Sequence, residues 1–535
     1  MSYISAITRS DEVIIWERTE HGREQKRHPA PYYFYVESPE GKYKTIYGKS
    51  VSRVEFSTSK EFKSAKDDCE SRGIRMYESD ISPDLRILAH AYRNIPAPKL
   101  HISLYDIEVD YDPLIGFSSP MNPYAPINAI ALLHYWNNEM YILAVPPEDG
   151  WTQERLMREI HESAPHAPID PRYKVELLLC KNERELLLTF LELIYDSDVI
   201  AGWNSDLFDT PYVTKRIEMV LGKRFTDRMD FDGVGSPQIV EVLNRDKTKT
   251  IGHEVRLRGR ISTDYMRLVK KYEPGERSSY KLSSVSDEVL VDSDGKAMLP
   301  KLEYSGTLAD LYRKNFAYFM RYNVRDTEIL GGFEDKLGYI ELANQMYHSS
   351  AGQFSHVLGT IKLAELAIVN YCHELKQIVP DFKRSDIDRQ IDGALVLLPQ
   401  IGEHKNVGSI DINSLYPSAI RSINISPETL RAQFTMYEHA VLEIYKGSLV
   451  DLTLEIEETG EQITKPAYEW KQWLLDRKWS VSGYGTCFDQ SVPGIIPTIL
   501  SEWYAQRKHY QKLKKEAEGR AAAILKKYID EDKVE

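Results

Sequence analysis

Apolar and polar residues alternate through "HISLYDIEVDYD", which predicts a strand, and two more strands follow in "INAIALLHYW" and "EMYILAVP". Asn137-Asn138 between the last two suits a tight hairpin. The period then lengthens. "NERELLLTFLELIYDSD" carries an apolar stripe at helical spacing, and "VIAGWN" reads as a buried strand. "TPYVTKRIEMVLGKR" predicts a helix with Thr210 at the N-cap and Pro211 at its first position. Strands first, then helices alternating with strands, imply an α/β layer domain over 101–338.

The flanks read differently. "PYYFYVES" and "GKYKTIYGKS" make residues 1–100 a β-rich module that ends in the proline-containing linker "IPAPKL". "VEVLNRDKTKTIGHEVRLRG" is two strands around a polar loop. "SHVLGTIKLAELAIVNYCHEL" is an amphipathic helix with apolar residues at Val357, Ile361, Leu366, Ile368 and Leu375. "DGALVLLPQIGEHKNVGSIDINSLYPS" predicts a second β-rich region, in which a short apolar strand carries Asp411 into a Ser-Leu-Tyr-Pro turn. "SEWYAQRKHYQKLKKEAEGRAAAILKKYI" is one polar helix of roughly 45 Å. The fold expected is multidomain, α/β with α+β parts.

Composition adds limits. At 535 residues the chain holds about three or four domains. No run of about 18 apolar residues exists, so no membrane contact is expected, and the N-terminus has no signal-peptide core. Cys69, Cys180, Cys372 and Cys487 are too scattered for a metal pair and suit a reducing, cytoplasmic setting. The net charge of -13 argues bluntly against a nucleic-acid partner. A basic path can nevertheless be local, and phosphoryl chemistry needs clustered carboxylates.

Such carboxylates occur at informative spacings. Asp106 and Glu108 lie two apart on a strand and so share a face. Asp209 lies where the "VIAGWN" strand gives way to its helix, and Tyr322 and Asp326 lie four apart on a helix. Alone, each has an ordinary reading: an exposed strand face, an acid against a helix dipole, a surface Tyr–Asp pair. Together they describe a two-metal phosphodiesterase, with the four acids as ligands and the tyrosine orienting water.

The order D-x-E, N-x-x-x-F-D, Y-x-x-x-D resembles the three exonuclease motifs of family B DNA polymerases: "DIE" at Asp106, "NSDLFD" ending at Asp209, and "YNVRD" from Tyr322 to Asp326. "SYKL", "KYKTIYGKS" and "SLYPSAIRSINISPETL" extend the resemblance to the polymerases of T-even-type tailed phages. That resemblance implies an RNase H-like 3′→5′ exonuclease over 101–338, an N-terminal domain over 1–100 rejoined by 339–382, the first part of a palm over 383–498, and the first fingers helix over 499–535. It implies two Mg²⁺ or Mn²⁺ per active site. In the palm, Asp411 and the Ile412 carbonyl would hold metal, Ser414 and Leu415 would lie against the triphosphate, and Tyr416 would exclude a 2′-hydroxyl. Arg507 would grip nucleotide phosphates, with Gln511 where the family often has lysine and Lys512 beside it. The 240–259 hairpin would help part primer from template. Primer-template DNA and dNTPs are the implied substrates, in an infected bacterial cell.

The family's second palm aspartate lies in a D-T-D turn after a K-x-x-x-N-S-x-Y-G helix. "STDYM" and "NSLYP" are neither. The expectation is therefore a second chain carrying those motifs, the thumb and any sliding-clamp contact, or a fragment of a longer protein. A stand-alone exonuclease with a remnant palm, and a non-catalytic scaffold, are the competing readings. The intact "DINSLYPS" weighs against the former and the complete acid set against the latter.

Overall fold

The computed structural model describes residues 2–532 except 113, 245–247, 274, 293, 383–395 and 436. Two compact units emerge: Met1–Tyr33, Glu55–Asp67 and Ile81–Ala367 form the first, and Phe34–Val54, Asp68–Asp80 and Ile368–Glu535 the second. This division cuts across the boundary expected near residue 100. Backbone pairing gives the reason, since Gln377–Ile378 adds in parallel to Tyr43–Thr45.

In the first unit, the described residues build a six-stranded sheet from β1 (Ile102–Val109), β2 (Ile127–His134), β3 (Glu139–Ala144), β4 (Lys174–Leu179), β5 (Val199–Gly202) and β8 (Ile261–Asp264). The spatial order is β4-β3-β2-β1-β5-β8. β1, β2 and β3 form an antiparallel meander, whereas β5 runs parallel to both β1 and β8. Asn138 supplies the left-handed residue (φ 58°) of the expected hairpin. β6 (Gln238–Leu243) and β7 (Thr250–Arg256) form the antiparallel hairpin expected from "VEVLNRDKTKT", whose residues 245–247 lie outside the described residues.

β2 is buried along its whole length because both sheet faces are covered. On one face Tyr105, Ile107 and Ile130 pack with α2 (Glu183–Leu193) and α3 (Asp209–Val220). On the other, Leu104, Ala129 and Ala131 pack with α4 (Phe316–Leu337) and with the strands Ser2–Arg9 and Glu12–Thr19. α1 (Gln153–Ser163) lies against α4. Beyond α4 the chain returns to the N-terminal strand, where the Tyr347 hydroxyl donates to the Ile4 carbonyl at 3.0 Å.

The second unit contains an antiparallel five-strand sheet whose spatial order is Gln462–Pro466, Asp451–Ile456, Leu430–Phe434, Thr486–Asp489, Trp479–Val481. Trp470, Phe434 and Leu454 are central to its core. α5 (Leu415–Ile423) packs with α6 (Ile495–Asp532), a helix of 38 residues and so about 57 Å long.

Three expectations need correction. α3 starts at Asp209, with Phe208 rather than Thr210 at the N-cap; the Thr210 hydroxyl is instead 2.8 Å from that of Tyr105. In the helix Thr360–Glu374, Leu363, Leu366, Val369 and Cys372 are the buried stripe, while Ile361 is 81% exposed. No strand forms over 396–413, and Ile410 is 96% exposed; residues 392–395 lie outside the described residues. A strand is stabilised by a neighbour's ladder of hydrogen bonds, and among the described residues none pairs with this segment.

Candidate active site

β1 and α4 together position the first unit's acidic cluster. Strand alternation sends Tyr105 and Ile107 to the α3 face and Asp106 and Glu108 toward the α4 face. α4 presents Tyr322, Asn323 and Asp326 there. The Asn323 amide donates to the Asp106 carboxylate at 2.8 Å and to the Asp106 carbonyl at 3.2 Å, tying helix to strand. Asp209, the first residue of α3, reaches β1 and accepts from the Ile107 N–H at 3.3 Å. Asp326 accepts from the Lys301 ammonium at 2.7 Å, and Lys301 lies 5.0 Å from the centre of the Tyr322 ring.

Glu108, Asp209 and Asp326 are buried and Asp106 is partly so. Their electrostatics follow from crowding like charges out of water. Burial, then the charges of Asp209, Glu108 and Asp326, push the Asp106 carboxyl well above the usual range. Burial and Asp326 push Glu108 up to about 8, and burial pushes Asp209 up to about 7. Asp326 is also raised by burial, against the opposing pull of Lys301. Burial would lower Lys301, but the Asp326 charge prevails and raises it. Tyr322 is pushed up to about 12, mainly by burial, so it stays a neutral hydroxyl.

The donor set is all hard oxygen, which suits Mg²⁺ or Mn²⁺. One Asp326 oxygen is buried without a hydrogen-bond partner, as a ligand oxygen awaiting a cation would be. In this conformation no three Asp, Glu, His or Cys side chains among the described residues already close on one metal position. Closing them takes side-chain movement, with the Lys301 ammonium as the cation now at Asp326.

The structure therefore brings Asp106, Glu108, Asp209, Tyr322 and Asp326 together, and adds Lys301 and Asn323. Sequence reasoning passed over both. Asn323 carried a signal, standing next to Tyr322 and three residues before Asp326. Lys301 carried little, being one lysine between Pro300 and Leu302 in a loop.

The palm-type residues lie in the second unit and are open to solvent. Ile412, Leu415 and Tyr416 are 59%, 54% and 69% exposed, and Asp411 is also exposed. Ser414 has left-handed backbone (φ 53°) just before α5. The Arg507 guanidinium donates to the Ser414 hydroxyl at 3.1 Å, so two of the proposed nucleotide contacts do meet. Lys512 pairs along α6 with Glu516 at 3.9 Å.

Two family descriptions match the chain. Residues 69–285 match "DNA polymerase family B, exonuclease domain", and residues 359–529 match "DNA polymerase family B". The chain belongs to DNA polymerase family B. It is 27% identical over 543 residues to the DNA-directed DNA polymerase of Enterobacteria phage T4, covering 98% of this chain and 55% of that one. It is 25% identical over 502 residues to the DNA-directed DNA polymerase of Escherichia phage RB69, covering 92% and 51%. A DNA polymerase of Archaeoglobus fulgidus is 24% identical over 277 residues, or 49% of this chain. The chain thus spans about half the length of the phage relatives it matches. The exonuclease match stops at residue 285, so the place of Lys301, Tyr322 and Asp326 beside Asp106 is a finding of the structure.

Proposed function

We propose that the first unit removes nucleotides from DNA 3′ ends in a proofreading exonuclease site of RNase H-like fold. The second unit, in the same proposal, supplies the first part of a polymerase palm and fingers. The observation that carries the excision reading is the convergence of Asp106, Glu108, Asp209 and Asp326 around Lys301 and Tyr322. The central meander with parallel flanking strands supports the RNase H-like part.

Asp106, Glu108, Asp209 and Asp326 would hold the divalent cations, which when bound activate water and neutralise phosphate charge. The chain's own residues do the rest. Asn323 fixes the Asp106 carboxylate through its amide. Tyr322 keeps its proton and so can hydrogen-bond an attacking water. Lys301 pairs with Asp326 at 2.7 Å and would place a positive charge beside the reacting phosphate.

For nucleotide addition, Asp411 and the Ile412 carbonyl would bind metal, Ser414, Leu415 and Arg507 the triphosphate, and Tyr416 the sugar. Addition would also need polymerase residues that lie in the relatives' unmatched half. A second chain bearing the rest of the palm, the fingers and the thumb, with any clamp contact, is the proposed partner. The cell interior is the proposed site of action; no helix among the described residues is long and apolar enough to cross a membrane.

A 5′-labelled primer-template, incubated with Mg²⁺ with and without dNTPs, tests this. Shortening that disappears in the Asp106→Ala, Glu108→Ala variant is expected, with extension only when the complementary polymerase portion is added. Excision that survives the double substitution would overturn the site assignment. Extension by these 535 residues alone would overturn the need for a partner.

A further inference from the structure

Behind the acidic cluster, α4 carries a second set of charges that the excision chemistry does not use. Arg321, Arg325 and Glu328 are all buried. The Arg321 guanidinium donates to the carbonyls of Ala167 and Pro168, both at 3.0 Å, and to the Glu328 carboxylate at 2.7 Å. Arg325 shares two of these partners, donating to the Pro168 carbonyl at 3.3 Å and lying 3.4 Å from Glu328. The other Glu328 oxygen accepts from the Asp170 N–H at 2.7 Å. Three side chains of α4 and three backbone groups of the 164–170 segment are thus fastened at one point.

What that segment touches makes the fastening relevant. Ala164 and Ala167 are buried against Leu302, and Tyr322 packs onto the same small cluster. Leu302 follows Lys301, whose ammonium lies by the Tyr322 ring and bonds Asp326. A continuous chain of contacts therefore runs from the Arg321 fork, through the Ala167 backbone, to the back of Tyr322.

We infer that Arg321 and Glu328 are positioning residues for excision, which set the Tyr322 hydroxyl by clamping the 164–170 segment behind it. This rests on the excision reading above. Arginine is suited to the task because its planar fork satisfies two carbonyls and a carboxylate at fixed angles, which an ammonium cannot do. A small shift of Ala167 passes through the Ala164–Ala167–Leu302 cluster to Tyr322 because close-packed interiors transmit displacement.

The test is a double-mutant cycle on single-turnover excision of a 5′-labelled oligonucleotide with Mg²⁺. Arg321→Lys keeps the charge and loses the fork. Its excision rate is expected to fall by about tenfold at unchanged DNA affinity, in the range seen when groups supporting an active site are altered. In a Tyr322→Phe background the same substitution is expected to cost about twofold or less, because the hydroxyl it positions is already gone. Losses that multiply in the double variant would overturn the inference and assign Arg321 to folding alone. Should Arg321→Lys fail to fold, Glu328→Gln completes the same cycle, since it weakens the clamp while preserving shape. Wild-type protein without excision would instead remove the exonuclease reading itself.

Discussion

The acidic cluster should make the metal-free protein more stable when one of its charges is removed. Asp106→Asn is the sharpest case. Asp106 feels three other acids and one ammonium, Lys301. A pair of unit charges about 6 Å apart at an effective dielectric near 20 interacts by about 3 kcal/mol. The Lys301 attraction offsets about one of the three repulsions. Glu108 and Asp209, raised to about 8 and about 7, are largely or partly protonated near neutrality, which weakens the others. The Asp106 carboxyl is itself raised, so the relief is fullest at the alkaline end, where a net of about 1–3 kcal/mol remains. Against it stands the charge assistance in the Asn323 hydrogen bond, worth about 1 kcal/mol; an asparagine at 106 still offers Asn323 an oxygen at the same place. The melting temperature in EDTA should therefore rise by about 2–4 °C. The folded carboxyls keep their protons to higher pH than the unfolded chain does. Metal-free stability should accordingly fall as pH rises from about 5 to about 8, less steeply in the variant. Thermal melts across that range in EDTA, repeated with saturating Mg²⁺, read both effects, and Mg²⁺ should stabilise wild type more than the variant. A variant that melts lower than wild type at the alkaline end, with the same pH slope, would refute the shared electrostatic field.

Lys301→Met should act with the opposite sign, since it withdraws the cation from a buried acid: a loss of about 1–3 kcal/mol in EDTA, reduced when Mg²⁺ is added, and excision at least about tenfold slower. Melts and single-turnover excision read the two together. His134 tests a different part of the sheet. Burial lowers it to about 4, and its ring nitrogen lies 3.1 Å from the Leu193 carbonyl. Its depressed folded value means stability is full above the unfolded value of about 6.5 and is lost as pH falls toward 4, by up to about 3 kcal/mol. His134→Gln should flatten urea-melt midpoints over that interval; an unchanged acid slope would place its origin elsewhere.

Residues whose partners lie on the same element were legible in the sequence. Asp106 and Glu108 follow from the period of two, and Tyr322 and Asp326 from the helical turn. Asp209 was legible as an acid at the end of a strand, although the helix begins one residue before Thr210 and so includes it. Lys301 was not legible, because no spacing rule connects a loop lysine to an aspartate on a helix 25 residues later. In the helix Thr360–Glu374, apolar residues occur at two overlapping spacings, and pattern alone chose the stripe containing Ile361. Packing chose the one through Leu363, Leu366, Val369 and Cys372. At 409–412 the expected strand does not form, because ladder partners decide whether a strand exists and among the described residues none pairs with this segment.

The charge balance shows why a whole-chain sum misjudges partners. A net -13 predicts repulsion from a polyanion only if the charge is spread evenly. Here some of the acids are withdrawn. Glu108, Asp209 and Asp326 are buried, held toward their neutral forms or paired with Lys301, and Glu328 is neutralised by two guanidiniums. Exposed α6 is the reverse: eight lysines and arginines stand against three glutamates between residues 502 and 527. Screening confines each field to about 10 Å in ordinary salt, so an approaching anion senses the side chains nearest it rather than the sum. An acidic total and a phosphate-binding surface are therefore compatible in one chain, provided its carboxylates are gathered where a cation is wanted and its cations stand elsewhere.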